Sequence, residues 1–279
     1  MTVMMYTTWK ELVRKKVLVL TLLLTVLFLL AFWFIAGSIG MRHPANPEQL
    51  FEQFSRRGAV LSLGFFFGSF IVAFLSIFSS FSVISGEAEQ STLQAVLARP
   101  LLRWKWYLGR WIGYVVFIAL YALLLFTAIV TITAVQAGMT RIWQDIVYSL
   151  FLFLSVVPLL VSMSMLGSSL FSGIGNGVFM TMLYGAGWLG GMIEKMRGFL
   201  DLKEPMASTL ANIASLLSLI MPADGIQRRM QYILSQGQGR DIPFLSGGSV
   251  PSDSFLIYGA IYGILAIIIG LQLFRRKDM

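Results

Sequence analysis

The chain has no cysteine and a single histidine, His43, among its 279 residues. Disulfides, thiolate metal centres and a cysteine nucleophile are thereby excluded, and a lone histidine beside Pro44 and Pro47 has no second imidazole with which to hold zinc. Charge is scarce too: Asp, Glu, Lys and Arg make up 12% of the residues, against about 25% in soluble domains. There is no G-x-x-x-x-G-K-[ST] phosphate loop, so the chain does not bind ATP in the P-loop manner. The long apolar runs contain no Asp, Glu, His, Lys or Arg. Ion-coupled carriers, proton pumps and voltage sensors place such groups inside the membrane, so this absence argues against all three.

Apolar surface is what the sequence has in abundance. With 57% hydrophobic residues and a mean hydropathy of +0.79, the composition is that of an integral membrane protein. Backbone amides left unpaired in hydrocarbon cost several kcal/mol each, so only helices and closed barrels cross it. A helix needs about 20 apolar residues for the crossing. Six segments meet that length, near 17–40, 59–83, 111–135, 146–168, 174–193 and 255–274, and predict an all-α polytopic protein with one transmembrane domain over 1–279. The distribution of Lys and Arg sets the orientation. With both termini cytoplasmic, the inner side holds Lys10, Arg14, Lys15, Lys16, Arg99, Arg103, Lys105, Arg110, Arg275, Arg276 and Lys277. The short outer loops hold Arg42, Arg56, Arg57 and Arg141. Basic residues at cytoplasmic helix ends account for the net charge of +8, and their scatter offers nothing to nucleic acid.

The flanks carry further signals. Basic residues, an apolar core and then Ala36, Gly37 and Ser38 mimic a cleaved signal peptide, but the core is too long and more spans follow. Met5, Trp9, Leu12 and Val13 recur at helical spacing with Lys10 and Arg14 on another face. That pattern fits either a helix lying in the cytoplasmic interface or a first span that begins early. In the long external loop, 194–254, the stretch 208–221 is apolar but too short to cross and is ended by Pro222. It reads as a re-entrant or capping helix, followed at 236–254 by a Gly-, Ser- and Pro-rich linker. Within the spans Gly64 and Gly68, Gly173 and Gly177, Gly187 and Gly191, and Gly259 and Gly263 stand four apart, the spacing that lets helices pack closely in lipid. Pro158 is expected to kink the fourth span, and Trp104, Trp106, Tyr107 and Trp111 mark the interface entering the third. The 15 methionines, among them Met163 with Met165 and Met180 with Met182, read as packing residues rather than ligands for a soft metal.

Between the second and third spans lies a charged loop, 84–110. Ser91 and Gln94 form an S-x-x-Q capping box, so a short helix begins there, with Thr92, Leu93, Val96 and Leu97 on one apolar stripe and Arg99-Pro100 as its stop. Glu87 and Glu89 precede its N-terminus, where the helix dipole favours negative charge. Such a helix docks into a groove on another protein, or lies in the interface without a partner. The order I-S-G-E-x-E-x-S-T-L-x-x-x-L-A-R-P-x-x-R-W-x-x-x-L-G-R resembles the cytoplasmic loop of the type-two ABC transporter permeases. Gly86, Glu87, Glu89, Thr92, Leu93, Leu97, Pro100, Arg103 and Gly109 match the pattern; Ser91 replaces its glycine and Arg110 its lysine. T-T-W-K-E-L-V-R-K-K at 7–16 and M-P-A-D-G-I-Q-R at 221–228 look like weaker signatures of the same family.

The resemblance implies a permease of a bacterial or archaeal plasma membrane that has no cofactor of its own and no catalytic residue. Two such chains pair, as a homodimer or with a related chain, and each engages a separate cytoplasmic ATPase subunit that holds ATP and Mg. The transmission site is then expected at Gly86, Glu87, Glu89, Ser91, Thr92, Leu93, Leu97, Arg99, Pro100 and Arg103. The second and fifth spans become the pathway walls, with Ser62, Phe66, Ser69, Phe70, Ser76, Asn176 and Tyr184 suited to the export of an amphiphilic or hydrophobic cargo. Competing readings are an ion-coupled secondary carrier or channel, and a membrane enzyme or assembly scaffold. A further one is a mechanotransmitter acting on an external protein through the 194–254 loop.

Overall fold

The computed structural model describes residues 2–40, 47–86, 102–138, 143–197, 205–235 and 250–276. Regular structure among them is helix alone: α1 (Thr2–Arg14), α2 (Lys16–Gly40), α3 (Pro47–Ser80), α4 (Arg103–Ala137), α5 (Trp143–Leu170), α6 (Gly173–Arg197), α7 (Met206–Ile220), α8 (Ala223–Ser235) and α9 (Asp253–Arg276). Five stretches are long and apolar enough to cross a membrane: Lys16–Ser38, Gly58–Ser80, Arg103–Ala137, Trp143–Leu170 and Asp253–Arg276. They correspond to five of the six expected spans. At the remaining position α6 forms over 25 residues, about 37 Å at 1.5 Å per residue and enough for a ~30 Å core. It is not among the stretches apolar enough to count as a span by composition; the further candidate of that kind is the bent pair Met206–Ile220 with Ala223–Leu234.

The helices outrun the apolar windows. α3 extends to 34 residues and α4 to 35, about 50 Å each. The expected loop 84–110 is accordingly shorter, because Arg103 to Arg110 form the first turns of α4. Hydropathy misses those turns since they carry Arg103, Lys105 and Arg110, yet their backbone hydrogen bonds continue the helix. The far end of α4 closes on Gly138, whose left-handed φ of 62° only glycine adopts freely. The N-terminal alternative is settled in favour of a separate helix: α1 ends at Arg14, Lys15 breaks the run, and α2 starts afresh. Leu12 and Thr8 on α1 are fully buried.

α5 is the central element and touches α3, α4, α6, α8 and α9. Pro158 lies inside it without ending it; Ser162 Oγ donates to the Pro158 carbonyl at 2.5 Å and accepts from Trp111 Nε1 at 2.9 Å. The ring cluster Phe65, Phe126 and Phe153 joins α3, α4 and α5, with centroids 5.0 to 5.7 Å apart. α2 and α9 are the least covered spans. Gly64 and Gly68 face Phe32 and Ile129 so closely that an added Cβ would stand 2.7 Å from them, which brings α2, α3 and α4 together. Gly173 and Gly177 meet Ser82, Ser85 and Phe81 at the end of α3. Gly259 meets Ile226 of α8, and Gly263 makes ordinary contact with Leu159.

Past Pro222, where a linker is expected only from 236, the chain forms a second short helix, α8, bent 103° from α7. A bend in an apolar setting exposes the last carbonyls of the first helix. Two tyrosines of α9 meet them: Tyr258 Oη donates to the Leu219 carbonyl at 2.7 Å and Tyr262 Oη to that of Ile220 at 2.8 Å. Tyr262 lies nine residues into α9, about 13 Å along its axis. α7 packs on the glycine face of α6, where an added Cβ at Gly187 would stand 2.8 Å from Met221 and one at Gly190 2.7 Å from Leu217.

Candidate coupling and pathway sites

Residues 87–101, which carry Glu87, Glu89, Ser91, Thr92, Leu93, Leu97, Arg99 and Pro100 of the loop pattern, lie outside the described residues. The two stems that hold them are described, and both are tied to distant parts of the chain. On the incoming side, three carbonyls at and just past the end of α3 accept from side-chain donors, that of Ile77 in addition to its helical bond from Phe81 N. Lys15 Nζ donates to Ser79 O at 2.8 Å, Ser164 Oγ to Ile77 O at 3.3 Å, and Asn176 Nδ2 to Phe81 O at 2.6 Å. Asn176 Nδ2 also donates to Ser164 O at 2.8 Å, so one buried amide links α3, α5 and α6. The turn beyond is held by Ser168 Oγ, which accepts from Ile84 N at 3.0 Å and Ser85 N at 3.1 Å. Gly86 follows, half-buried, its N–H on Ser82 O at 2.9 Å.

On the outgoing side, Arg103 Nη1 donates to the Arg275 carbonyl at the end of α9, at 3.0 Å. Trp106 stacks on Phe274 with centroids 5.1 Å apart, and Tyr107 sits over Gly270. α1 clasps the next turns: Arg110 pairs with Glu11 at 2.5 Å, Trp9 Nε1 donates to Gly113 O at 3.1 Å, and Thr8 packs on Gly113. Lys15, at the α1–α2 break, lies against both stems, 3.5 Å from Tyr114 Oη as well as on Ser79 O. Burial pushes its ammonium down to about 8, with nearby Glu11 opposing the shift and Arg110 adding to it. The stems therefore form a frame in which α1, α5, α6 and α9 all grip the ends of one loop.

The expected pathway residues divide into two groups. Phe66, Ser69 and Phe70 of α3 and Tyr184 of α6 come together, with Phe70 edge-on to Tyr184 at 5.9 Å and to Trp188 at 5.5 Å. Phe70 also lines an apolar groove of about 650 Å³ between α2 and α3. Ser62, Ser76 and Asn176 are buried elsewhere: Ser76 Oγ donates to Val72 O of its own helix, and Asn176 belongs to the stem just described.

Composition alone does not reveal what lies beside the aromatic group. Lys195 of α6 and Asp224, Gln227, Arg228 and Gln231 of α8 line a small cavity with Phe66, Ser69, Phe70 and Trp188. Arg228 Nη1 is 2.5 Å from Glu194 Oε2, and Arg228 Nε is 2.9 Å from Asp224 Oδ2. Asp224 lies over Gly191, where an added Cβ would overlap its carboxylate. Gly191 is six residues from the end of α6, about 9 Å along the axis. The expected apolar segments hold no charged residue, and the bend at Met221–Pro222 carries α8 and its charges against α6 and α3. The signal present in the sequence was the 3.6-residue recurrence of Asp224, Gln227, Arg228 and Gln231, the first three within the 221–228 signature. Among the described residues no group of His, Cys, Asp and Glu is placed to hold a metal.

The sequence profile of the family described as ABC-2 family transporter protein matches residues 7–279. No curated protein matches the chain.

Proposed function

The chain belongs to the ABC-2 transporter permease family, and from that premise we propose that it couples ATP hydrolysis in a separate cytoplasmic subunit to export across a plasma membrane. As a member it is a multi-pass membrane subunit of an ABC transporter. In the proposed arrangement both termini are cytoplasmic, α6 is the fifth of six crossings, and α7 and α8 form a re-entrant hairpin dipping from the outer face. Two protomers pair, as a homodimer or with a related chain. The helix expected within 91–98 docks on the ATPase, which holds ATP and Mg. Closure of the ATPase dimer displaces that helix, and the gripped stems convert the displacement into a rocking of α3 and α4. ATP must favour the closed arrangement by differential affinity, because a ligand indifferent to the two states shifts nothing.

The observation that carries this reading is the convergence of α1, α5, α6 and α9 on the stems of the one loop that matches the family pattern. The meeting of the 650 Å³ apolar groove with the polar cavity at Phe70 supports an amphiphilic cargo. A proton- or sodium-driven carrier is the weaker reading, because the acids Glu194 and Asp224 are both engaged by Arg228. Co-purification with the ATPase subunit, and its hydrolysis rate, test the proposal with the native chain and with Glu87→Ala/Glu89→Ala. The double variant is expected to lose assembly or to uncouple hydrolysis. A native chain that binds no ATPase would sink the reading.

A further inference from the structure

α8 turns its polar face into the bundle. Asp224, Gln227, Arg228 and Gln231 stand at i, i+3, i+4 and i+7 and all are buried, the reverse of a surface helix. One guanidinium ties three helices there: Arg228 meets Glu194 of α6 at 2.5 Å and Asp224 of its own helix at 2.9 Å, and donates from Nη2 to Ser218 Oγ of α7 at 3.3 Å. With Lys195 beside them, two acids and two bases sum to zero. Such a cluster is tolerable away from water only while it stays closed, since one ion stripped of its partner is heavily penalised. Opposite it, α3 presents Ser69, whose buried hydroxyl has no protein partner. The space between is about 20 Å³, roughly what a single water needs. In this state the polar face of α8 is shut against α3.

We propose that this cluster is the outer latch of the permease, with Arg228 as the positioning residue that holds α8 on α6 and α3 in the closed state. Parting α8 from α6 leaves Glu194 and Lys195 on one wall and Asp224 and Arg228 on the other. Each wall is neutral as a pair but needs water, so release of the latch and hydration of the outer mouth are one event. The drive rests on the permease reading. α3 runs from the latch at Ser69 to its end at Ser80, eleven residues on, about 17 Å of rigid helix, and then into the gripped stem at Gly86. Phe66 and Phe70, set against Trp188 and Tyr184, pass its movement to α6.

Because the chain has no native cysteine, Ser69→Cys is a clean reporter. Labelling by a membrane-impermeant maleimide, added to the outer face of vesicles holding the chain without its ATPase, reads the latch alone. The native background is expected to protect Cys at 69. Arg228→Gln or Glu194→Gln, each neutralising one side at nearly constant shape, should raise the labelling rate by about tenfold or more, a shift worth ~1.4 kcal/mol. Arg228→Lys, which keeps the charge, should restore most of the protection. Equal protection in all variants, or equal labelling in Arg228→Lys and Arg228→Gln, overturns the latch. Retained co-purification of the Gln variants with the ATPase separates local opening from unfolding. If the native chain bound no ATPase, the permease reading would fail while the labelling result still decided the latch.

Discussion

Two alanine substitutions on one helix give the sharpest test of how α8 is seated. Gly185 and Gly191 both lie in α6, but an added Cβ at Gly185 meets nothing within 4 Å, whereas at Gly191 it overlaps the Asp224 carboxylate and stands 2.6 Å from Asp224 Cγ. Gly185→Ala removes only backbone freedom and is expected to stabilise by up to about 1 kcal/mol. Gly191→Ala must either push α8 away or turn Asp224 off Arg228. Overpacking alone costs about 1–3 kcal/mol. Complete loss of one partner of a buried ion pair costs about 3–5 kcal/mol. The retained Arg228–Glu194 contact makes the lower range the better guide. A separation of roughly 2 kcal/mol between the two variants, near the middle of these ranges, is expected. For a chain of this size that is about 4–8 °C in apparent melting temperature. Thermal melts of the two variants in the same detergent, followed by the loss of monodisperse protein, measure it. If they melt within a degree of each other, α8 is not packed on the glycine face of α6, and the seating argument is wrong.

Three other outcomes are expected. Gly191→Cys with Asp224→Cys places one sulfur near where Asp224 Cγ now stands, within disulfide reach of position 191; thiol titration after mild oxidation should find no free thiol, and two per chain would refute the proximity. Asn176→Leu removes the donor to the Phe81 carbonyl, while the Ser164 carbonyl keeps its helical bond, and should destabilise by about 1–3 kcal/mol, the cost of one orphaned group; a melt unchanged from native would show that the stem does not depend on it. Lys15 is held below its ordinary value of 10.5, at about 8, so between those values the folded chain binds fewer protons than the unfolded one and stability rises with pH. Melts at pH 7 and pH 9.5 should therefore diverge more in the native chain than in Lys15→Met, and identical pH dependence would refute the buried ammonium.

Much of the architecture was legible before any coordinates, for reasons that differ by element. Five spans announce themselves because hydrocarbon demands an unbroken apolar helix, a constraint written residue by residue. α6 is legible by length and position, though it is not among the stretches apolar enough to count as a span by composition. The loop pattern around Gly86 to Arg103 is legible as a pattern, but nothing local says what grips its stems. Asn176 illustrates the gap: in sequence it is a mildly polar residue in a span, a fair candidate for a pathway wall. In the fold its amide donates to the Phe81 and Ser164 carbonyls and ties the turn after α3 to α5 and α6. The Arg228 cluster illustrates the converse. Asp224 and Arg228 sit in a stretch that reads as an external loop, and only the 103° bend places them beside Lys195 and Glu194 of α6.

The sequence by itself determined that this is a helical membrane protein, how many apolar crossings it offers, and which family its loop pattern belongs to. Those properties are additive along the chain, through transfer energy per residue and backbone hydrogen bonds made within each helix. Only the tertiary structure decided that Lys15, Ser168, Asn176 and Arg103 converge on one loop, and that Arg228 clasps α6 from a helix that turns back. Those depend on which helix faces meet. In lipid, apolar burial does not choose the facing partner, so close glycine contacts and paired polar groups select it.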